Sequence, residues 1–398
     1  MDREALINRN LQMAQAFHNP PVRHQVRHAL LQSIATFPFA PLNRGWNRIL
    51  FIKPDHLGDM LLATPALRAL KAARPYTEIH VLAGPWAAPV LANCSAIDLV
   101  LTIPFPGFTR NSESHSVVDP YTQLVRVSRQ LRRIGYGSAV ILRPDHWWGA
   151  MLAKVAGINE RIGYALEDVA PFLTDAVPHR HEHVVRQSLR LVEQWTGVIP
   201  DDEVEYFFEV FDDEREQIEQ YLADQCGIGP QDRIFCIHPG SGTWVKQWSE
   251  EQWAQTADTL IEQLNAQVIF TGGDDERALV ARIQNRMKLK SFTAAGELSL
   301  SQLGALYARG LVVLGPDSGP LHLAAAVRTP TVTLFGPADP VEFSPWGKRN
   351  RHIILSAPLG CRPCRVLDWG DDDPAYHPCV REIHVGQVLE AARRVVQA

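Results

Sequence analysis

At 398 residues the chain is too long for one ordinary core and points to two domains. Its 46% hydrophobic and 21% charged residues are those of a folded globular protein, and a net charge of −5 excludes general nucleic-acid binding, which needs a dense basic surface. No apolar run reaches the roughly 18–20 residues that span a bilayer, MDREALINRN lacks the apolar centre of a secretory signal, and six cysteines are too few for a disulfide framework, so a cytoplasmic protein with reduced thiols is expected.

Residues 1–46 stand apart. ALINRNLQMAQAF and VRHALLQSIATF read as two amphipathic helices broken at NPP (19–21), and Arg3, Arg9, Arg23, Arg27 and Arg44 outnumber Asp2 and Glu4. Such a basic amphipathic extension suits packing on the body or transient contact with an inner membrane surface. From Arg48, the strands RILFI, EIHVLAG, AIDLVLTI, SAVILRP and RIGY alternate with helices such as DMLLATPALRALKAA, giving a first domain over 47–200. FPGFTRNSESHSVVDP (105–120) is polar and aperiodic and reads as a loop. HRHEH (179–183) reads as the start of the helix that follows. A second alternation, RIFCIHPG, AQVIFTGG, SFTAAG, LVVLGP and TPTVTLFGP, fills 201–398. The expected architecture is α/β, with two Rossmann-like domains facing a central cleft. Open parallel sheets bind ligands at the carboxyl ends of their strands.

Four corners after strands carry more polar chemistry than a turn needs. In IKPDHLGDMLLATPAL, Asp55, His56, Gly58 and Asp59 lie between strand and helix. Asp59 falls in the first helical turn, where the dipole favours a carboxylate. In HPGSGTWVKQWSEEQW, Ser241, Gly242 and Thr243 offer N–H groups and hydroxyls, and Lys246 a compact charge suited to phosphate; Ser249 with Gln252 forms a capping box. In FTGGDDERAL, the acids at the helix start, Glu276 among them, either answer the dipole or accept from ribose hydroxyls. In LGPDSGPLHLAAA, Ser318 and Gly319 open a helix whose free N–H groups suit a diphosphate, and His322 lies one turn in. Asp317 would repel that anion, so it either fixes the loop or bonds a sugar hydroxyl.

Together, ILFIKPDHLGDMLLATPALRALK, IHPGSGTWVKQWSEEQWAQ, IFTGGDDERAL, GPDSGPLHLAAAVRTPTVTLFGPADP and the closing CRPCRVLDWG and HPCVREI resemble glycosyltransferase family 9, the heptosyltransferase family, over roughly 48–398. The resemblance implies a GT-B fold, with an N-terminal acceptor domain and a C-terminal nucleotide-sugar donor domain. It also implies inverting, metal-independent transfer, commonly from ADP-heptose to a lipopolysaccharide-type or related glycan acceptor, with no cofactor required. By the same resemblance Asp59 is the catalytic base and Lys246 the lysine on the donor phosphates. Ser318, Gly319 and His322 fall on the diphosphate loop, and Glu276 near the nucleotide ribose.

Two other readings stand beside this one. A nucleotide-sugar epimerase has the same architecture but needs no acceptor, and a non-catalytic nucleotide-sugar scaffold has little use for a base. Cys361, Cys364, His377 and Cys379 make a C-x2-C-x12-H-x-C pattern that could hold zinc, but its second half is irregular, and a reduced loop without metal is expected. Trp147 and Trp148, after the strand in SAVILRP, would line the acceptor side.

Overall fold

The computed structural model describes residues 2–18, 22–39, 47–108, 118–370 and 372–397. The expected break at 19–21, Arg44 and residues 109–117 of the polar loop lie outside the described residues. The chain divides into two compact units, Met1–Asn19 with Phe207–Ala398, and Pro20–Tyr206. The two N-terminal helices, α1 (Arg3–His18) and α2 (Val22–Thr36), therefore do not form a unit of their own. Ile7 and Leu11 of α1 pack on the core of the 207–398 unit. Leu31 of α2 is buried in the core of the other.

The 20–206 unit holds β1 (Arg48–Lys53), β2 (Glu78–Ala83), β3 (Leu99–Thr102), β4 (Ser138–Ile141), β5 (Glu160–Tyr164) and β6 (Asp175–Val177) in the order β3-β2-β1-β4-β5-β6. The 207–398 unit holds β7 (Arg233–Ile237), β8 (Ala266–Phe270), β9 (Phe292–Thr293), β10 (Val312–Pro316), β11 (Thr331–Phe335) and β12 (His352–Ser356) in the order β12-β11-β10-β7-β8-β9. All the pairings are parallel. Counted within each unit, both sheets run third, second, first, fourth, fifth, sixth. The strand order reverses between β1 and β4, and between β7 and β10, which are the switch points where such sheets bind ligands.

Central strands are legible because both their faces are covered, so they read as unbroken apolar runs: Phe51, Ile52, Phe235, Ile237, Val313 and Leu314 are all fully buried. The sequence reading missed β6 and β12. Both are edge strands, one only three residues long and largely exposed, the other half-exposed.

The helix expected over DMLLATPALRALKAA is interrupted. It becomes α3 (Leu57–Leu61) and α4 (Thr64–Ala73), because Pro65 lacks an N–H and its ring opposes the carbonyl four residues back. The Thr64 hydroxyl donates to the Leu61 carbonyl at 2.8 Å instead. α3 is thereby short and sits directly at the carboxyl end of β1.

Candidate active site

In the 20–206 unit, the end of β1 carries a buried charge cluster. Lys53 Nζ lies 3.0 Å from Asp55 Oδ2, and both side chains are almost wholly buried. Arg143, just beyond β4, donates to the other oxygen of Asp55 and, at 2.6 Å, to Asp145. Its guanidinium carbon stands 5.1 Å from the centre of the Phe108 ring. Burial alone would raise the Asp55 carboxyl, but Lys53 and Arg143 outweigh it and hold the group well below the ordinary carboxylate range. Trp86 Nε1 donates to the carbonyls of Pro54 and Asp55 at 3.2 and 3.0 Å, and its ring lies 5.2 Å from that of His56. These contacts fix the turn that brings His56 to the N-cap of α3, with Gly58 buried and Asp59 half-buried in the first turn.

His146 is the neighbouring surprise. It is buried against Phe105 and Trp148, and burial pushes its imidazole down to about 4. Trp148 does not line an open surface: it is 3% exposed and donates to the Pro120 carbonyl at 3.0 Å, whereas Trp147 is partly buried. His183 caps the helix Val184–Arg190 by accepting from Val185 N, the role HRHEH was expected to have.

In the 207–398 unit the three expected corners come together at the ends of β7, β8 and β10. Lys246 Nζ donates to Asp317 Oδ2 at 2.6 Å, with the side chains only 16% and 6% exposed. This gives Asp317 its partner: the carboxylate anchors the lysine. Ser318 is the N-cap of the helix Gly319–Ala326 but makes no capping bond, and its buried hydroxyl oxygen has no hydrogen-bond partner. His322 is buried in the next turn. Gly315 is required because a Cβ there would lie 2.6 Å from the His238 carbonyl oxygen, so β7 and β10 could not approach at their ends.

Glu276 accepts from Gly273 N at 2.8 Å, capping its own helical turn, and lies 3.5 Å from His238 Nε2. Gly240 leaves it that room; a Cβ there would fall 1.7 Å from Glu276 Oε1. His238 is held low by burial against the raising effect of Glu276, and its Nδ1 pairs with Thr271 Oγ1, which pairs with Tyr307.

The hydroxyls of the β7 loop are engaged within the protein. Ser241 donates to the Thr243 carbonyl at 2.6 Å and Thr243 to the Leu367 carbonyl at 2.7 Å, while Gly242 is exposed. Ser249 caps the helix Glu250–Leu264 by accepting from Gln252 N. The reciprocal arm of the capping box is not made, because the Gln252 amide donates to the Ile383 carbonyl and its oxygen accepts from Ser249.

Cys361, Cys364, His377 and Cys379 line one cavity of about 10 Å³ together with Asn10 and Val245. Burial pushes the thiols up, Cys379 to about 11. Among the described residues, no three of their donor atoms lie within 4.8 Å of one another. The residues that the sequence reading missed are Lys53 and Arg143. Their signal was a charged residue at the carboxyl end of an otherwise apolar strand.

Two Rossmann-like units of this topology, with polar residues gathered where their strands end, constitute the GT-B fold of glycosyltransferases. The pattern of "Glycosyltransferase family 9 (heptosyltransferase)" matches residues 124–368, more than half the chain, and the protein belongs to that family. It is 27% identical over 299 residues to lipopolysaccharide heptosyltransferase 3 of Escherichia coli K12, covering 73% of this chain and 82% of that protein. It is 25% identical over 355 residues to lipopolysaccharide heptosyltransferase 2 of the same organism, covering 86% and 97%. A family 9 glycosyltransferase from Veillonella parvula superposes with a TM-score of 0.70 at 22% identity, covering 90% of this chain and 99% of that one. E. coli ADP-heptose lipopolysaccharide heptosyltransferase II gives 0.69 at 21%, covering 88% and 98%. The chain is a glycosyltransferase, which sets aside the epimerase and scaffold readings. Among the described residues, no helix is long and apolar enough to cross a membrane.

Proposed function

We propose that this glycosyltransferase moves heptose from ADP-heptose to a lipopolysaccharide-type glycan acceptor, with inversion and without a metal ion. The names of its relatives support the sugar and the acceptor. The observation that carries the donor side is the pair Lys246–Asp317 beside the Ser318–Gly319 helix start. It combines a fixed cation, the Gly319 N–H at the positive end of a helix and a buried unpartnered hydroxyl, the donors a diphosphate accepts from. An acceptor of this kind is lipid-linked, so work from the cytoplasm at the inner membrane surface belongs to the same reading.

In the proposed reaction an acceptor hydroxyl oxygen bonds to the anomeric carbon while the bond from that carbon to the diphosphate oxygen breaks, its electron pair leaving with the nucleoside diphosphate. The hydroxyl proton passes to the Asp59 carboxylate. Asp59 need not be a strong base beforehand, because the hydroxyl acidifies only as its bond to carbon forms. Lys246, the Gly319 N–H and the positive end of its helix stabilise the departing charge electrostatically, the work a metal ion does elsewhere. Glu276 takes a ribose hydroxyl.

Calorimetric titration with ADP, GDP, UDP and CDP in metal-free buffer tests the donor. Selective binding of ADP is expected. Selective binding of another nucleotide replaces the donor, and binding of none removes the diphosphate assignment.

A further inference from the structure

The lysine assigned to the donor phosphates stands on a short turn, Trp244–Lys246, and that turn is braced from a distant part of the chain. Arg9 of α1 forks onto Asp372, with Nη2 at 2.8 and 2.7 Å from its two oxygens, and its guanidinium lies over the Tyr376 ring. Asp372 Oδ2 in turn lies 2.9 Å from His377 Nε2. The buried His377 ring is wedged between two tryptophans, edge-on to Trp244 at 5.2 Å and tilted against Trp369 at 4.4 Å. Trp244 is further fixed by Nε1 donating to the Gly370 carbonyl and by its own carbonyl accepting from Arg381.

A second route runs in parallel. The buried Asn10 donates to the Tyr376 carbonyl at 2.7 Å. It lines, with Val245 and His377, the cavity of about 10 Å³, too small for more than one water, so little slack separates α1 from the turn. Arg9 and Asp372, the outer end of this bracing, lie outside the matched segment 124–368.

We infer that α1 is a buttress of the donor site and that Arg9 is a positioning residue, acting through Asp372, His377 and Trp244 to hold Lys246 where it meets the diphosphate. The inference rests on the donor reading above. A buttress has a signature that a merely stabilising helix lacks. Loosening it weakens contacts to the phosphates and spares contacts to the nucleoside. It also loses its effect once Lys246 is gone, because coupled residues are not additive.

The test is calorimetry of the full-length protein with ADP and with adenosine, at a temperature well below unfolding, for wild type, Arg9→Ala, Asp372→Asn, Lys246→Ala and Arg9→Ala/Lys246→Ala. Arg9→Ala and Asp372→Asn should each weaken ADP about tenfold and leave adenosine within about twofold, and Arg9→Ala should add nothing in the Lys246→Ala background. Asp372→Asn keeps the shape of the side chain and serves if Arg9→Ala does not fold. If Lys246→Ala weakens ADP while the Arg9 and Asp372 variants bind it normally, or lose ADP and adenosine alike, the buttress is refuted and the donor reading stands. If wild type does not bind ADP, or Lys246→Ala binds it normally, the donor reading falls and takes the buttress with it.

Discussion

Replacing Lys246 by Met tests the donor corner on two independent scales. The substitution keeps the aliphatic stem and deletes the charge, leaving the Asp317 carboxylate, 6% exposed, without its cation. At 2.6 Å the pair attracts by about 6 kcal/mol in a medium of effective dielectric near 20, but most of that offsets the cost of taking both charges out of water. What a variant reads is the penalty of the stranded partner, about 3–5 kcal/mol for a buried pair, toward the lower end here because Lys246 keeps some access to solvent. For a domain of this size about 3 kcal/mol corresponds to a fall of roughly 6–12 °C in Tm. Lys246→Met/Asp317→Asn removes both charges, so it should regain all but about 1 kcal/mol of that loss while still binding ADP as poorly as Lys246→Met. Scanning calorimetry following the 207–398 unit gives the first scale and isothermal titration the second. A single variant as stable as wild type, or a double variant no more stable than the single, refutes the stranded-carboxylate argument. A double variant that recovers ADP binding refutes the role of the lysine.

The other predictions draw on different parts of the molecule. Asp59→Asn should lower turnover by at least ~100-fold with nucleotide affinity within about twofold, measured by initial rates and titration; near-normal turnover would falsify the base assignment. Gly240→Ala places a Cβ 1.7 Å from Glu276 Oε1 and 2.2 Å from its carboxyl carbon, so the whole carboxylate must move and Oε2 leaves the Gly273 N–H. The lost cap should cost about 1–2 kcal/mol, visible as a lower Tm, and an unchanged Tm would show that Glu276 does not hold that turn. His352 in the 207–398 unit is buried and, lowered first by burial and then by Arg351, sits near 4. The unfolded chain therefore takes up that proton first, so the contribution is complete above about pH 6.5 and disappears as pH falls to about 4, about 3 kcal/mol in all. His352→Gln should flatten the decline of Tm over that range, and an unaltered slope would assign the acid sensitivity elsewhere.

What the sequence disclosed and what it withheld divide along a physical line. Central strands announced themselves because burial on both faces demands uninterrupted apolar residues, as in Ile49–Ile52 and Val312–Leu314. The corners announced themselves because a helix start has its own chemistry, as with Asp59 in its first turn and Ser318 before Pro320. Partnerships did not. Asp55 and Arg143 are 88 residues apart, Lys246 and Asp317 are 71, Arg9 and Asp372 are 363, and nothing local to either member specifies the other. Asp317 could be called awkward from sequence, yet only the fold supplies the lysine that explains it. The N-terminal extension could be read as amphipathic, yet only the fold shows that α1 and α2 spend their apolar sides on different units.

Once those partners are known, the two units show one device used twice with its charges exchanged. In the first, an acid after the first strand, Asp55, is bridged to a base after the fourth, Arg143. In the second, a base after the first strand, Lys246, is bridged to an acid after the fourth, Asp317. Both bridges span the switch point, where diverging connections leave the sheet open and where no strand ladder can tie the flanking loops together. An ion pair is suited to that gap: it closes the loops across the opening and presents its outer atoms to whatever enters. Balanced charge at each switch point, Lys53, Asp55, Arg143 and Asp145 in the first unit and Lys246 with Asp317 in the second, also leaves neither corner with a stranded buried charge. The arrangement therefore explains together why Asp55 and Asp317 occur in these loops, and why removing Lys246 or Asp317 alone should be worse than removing both.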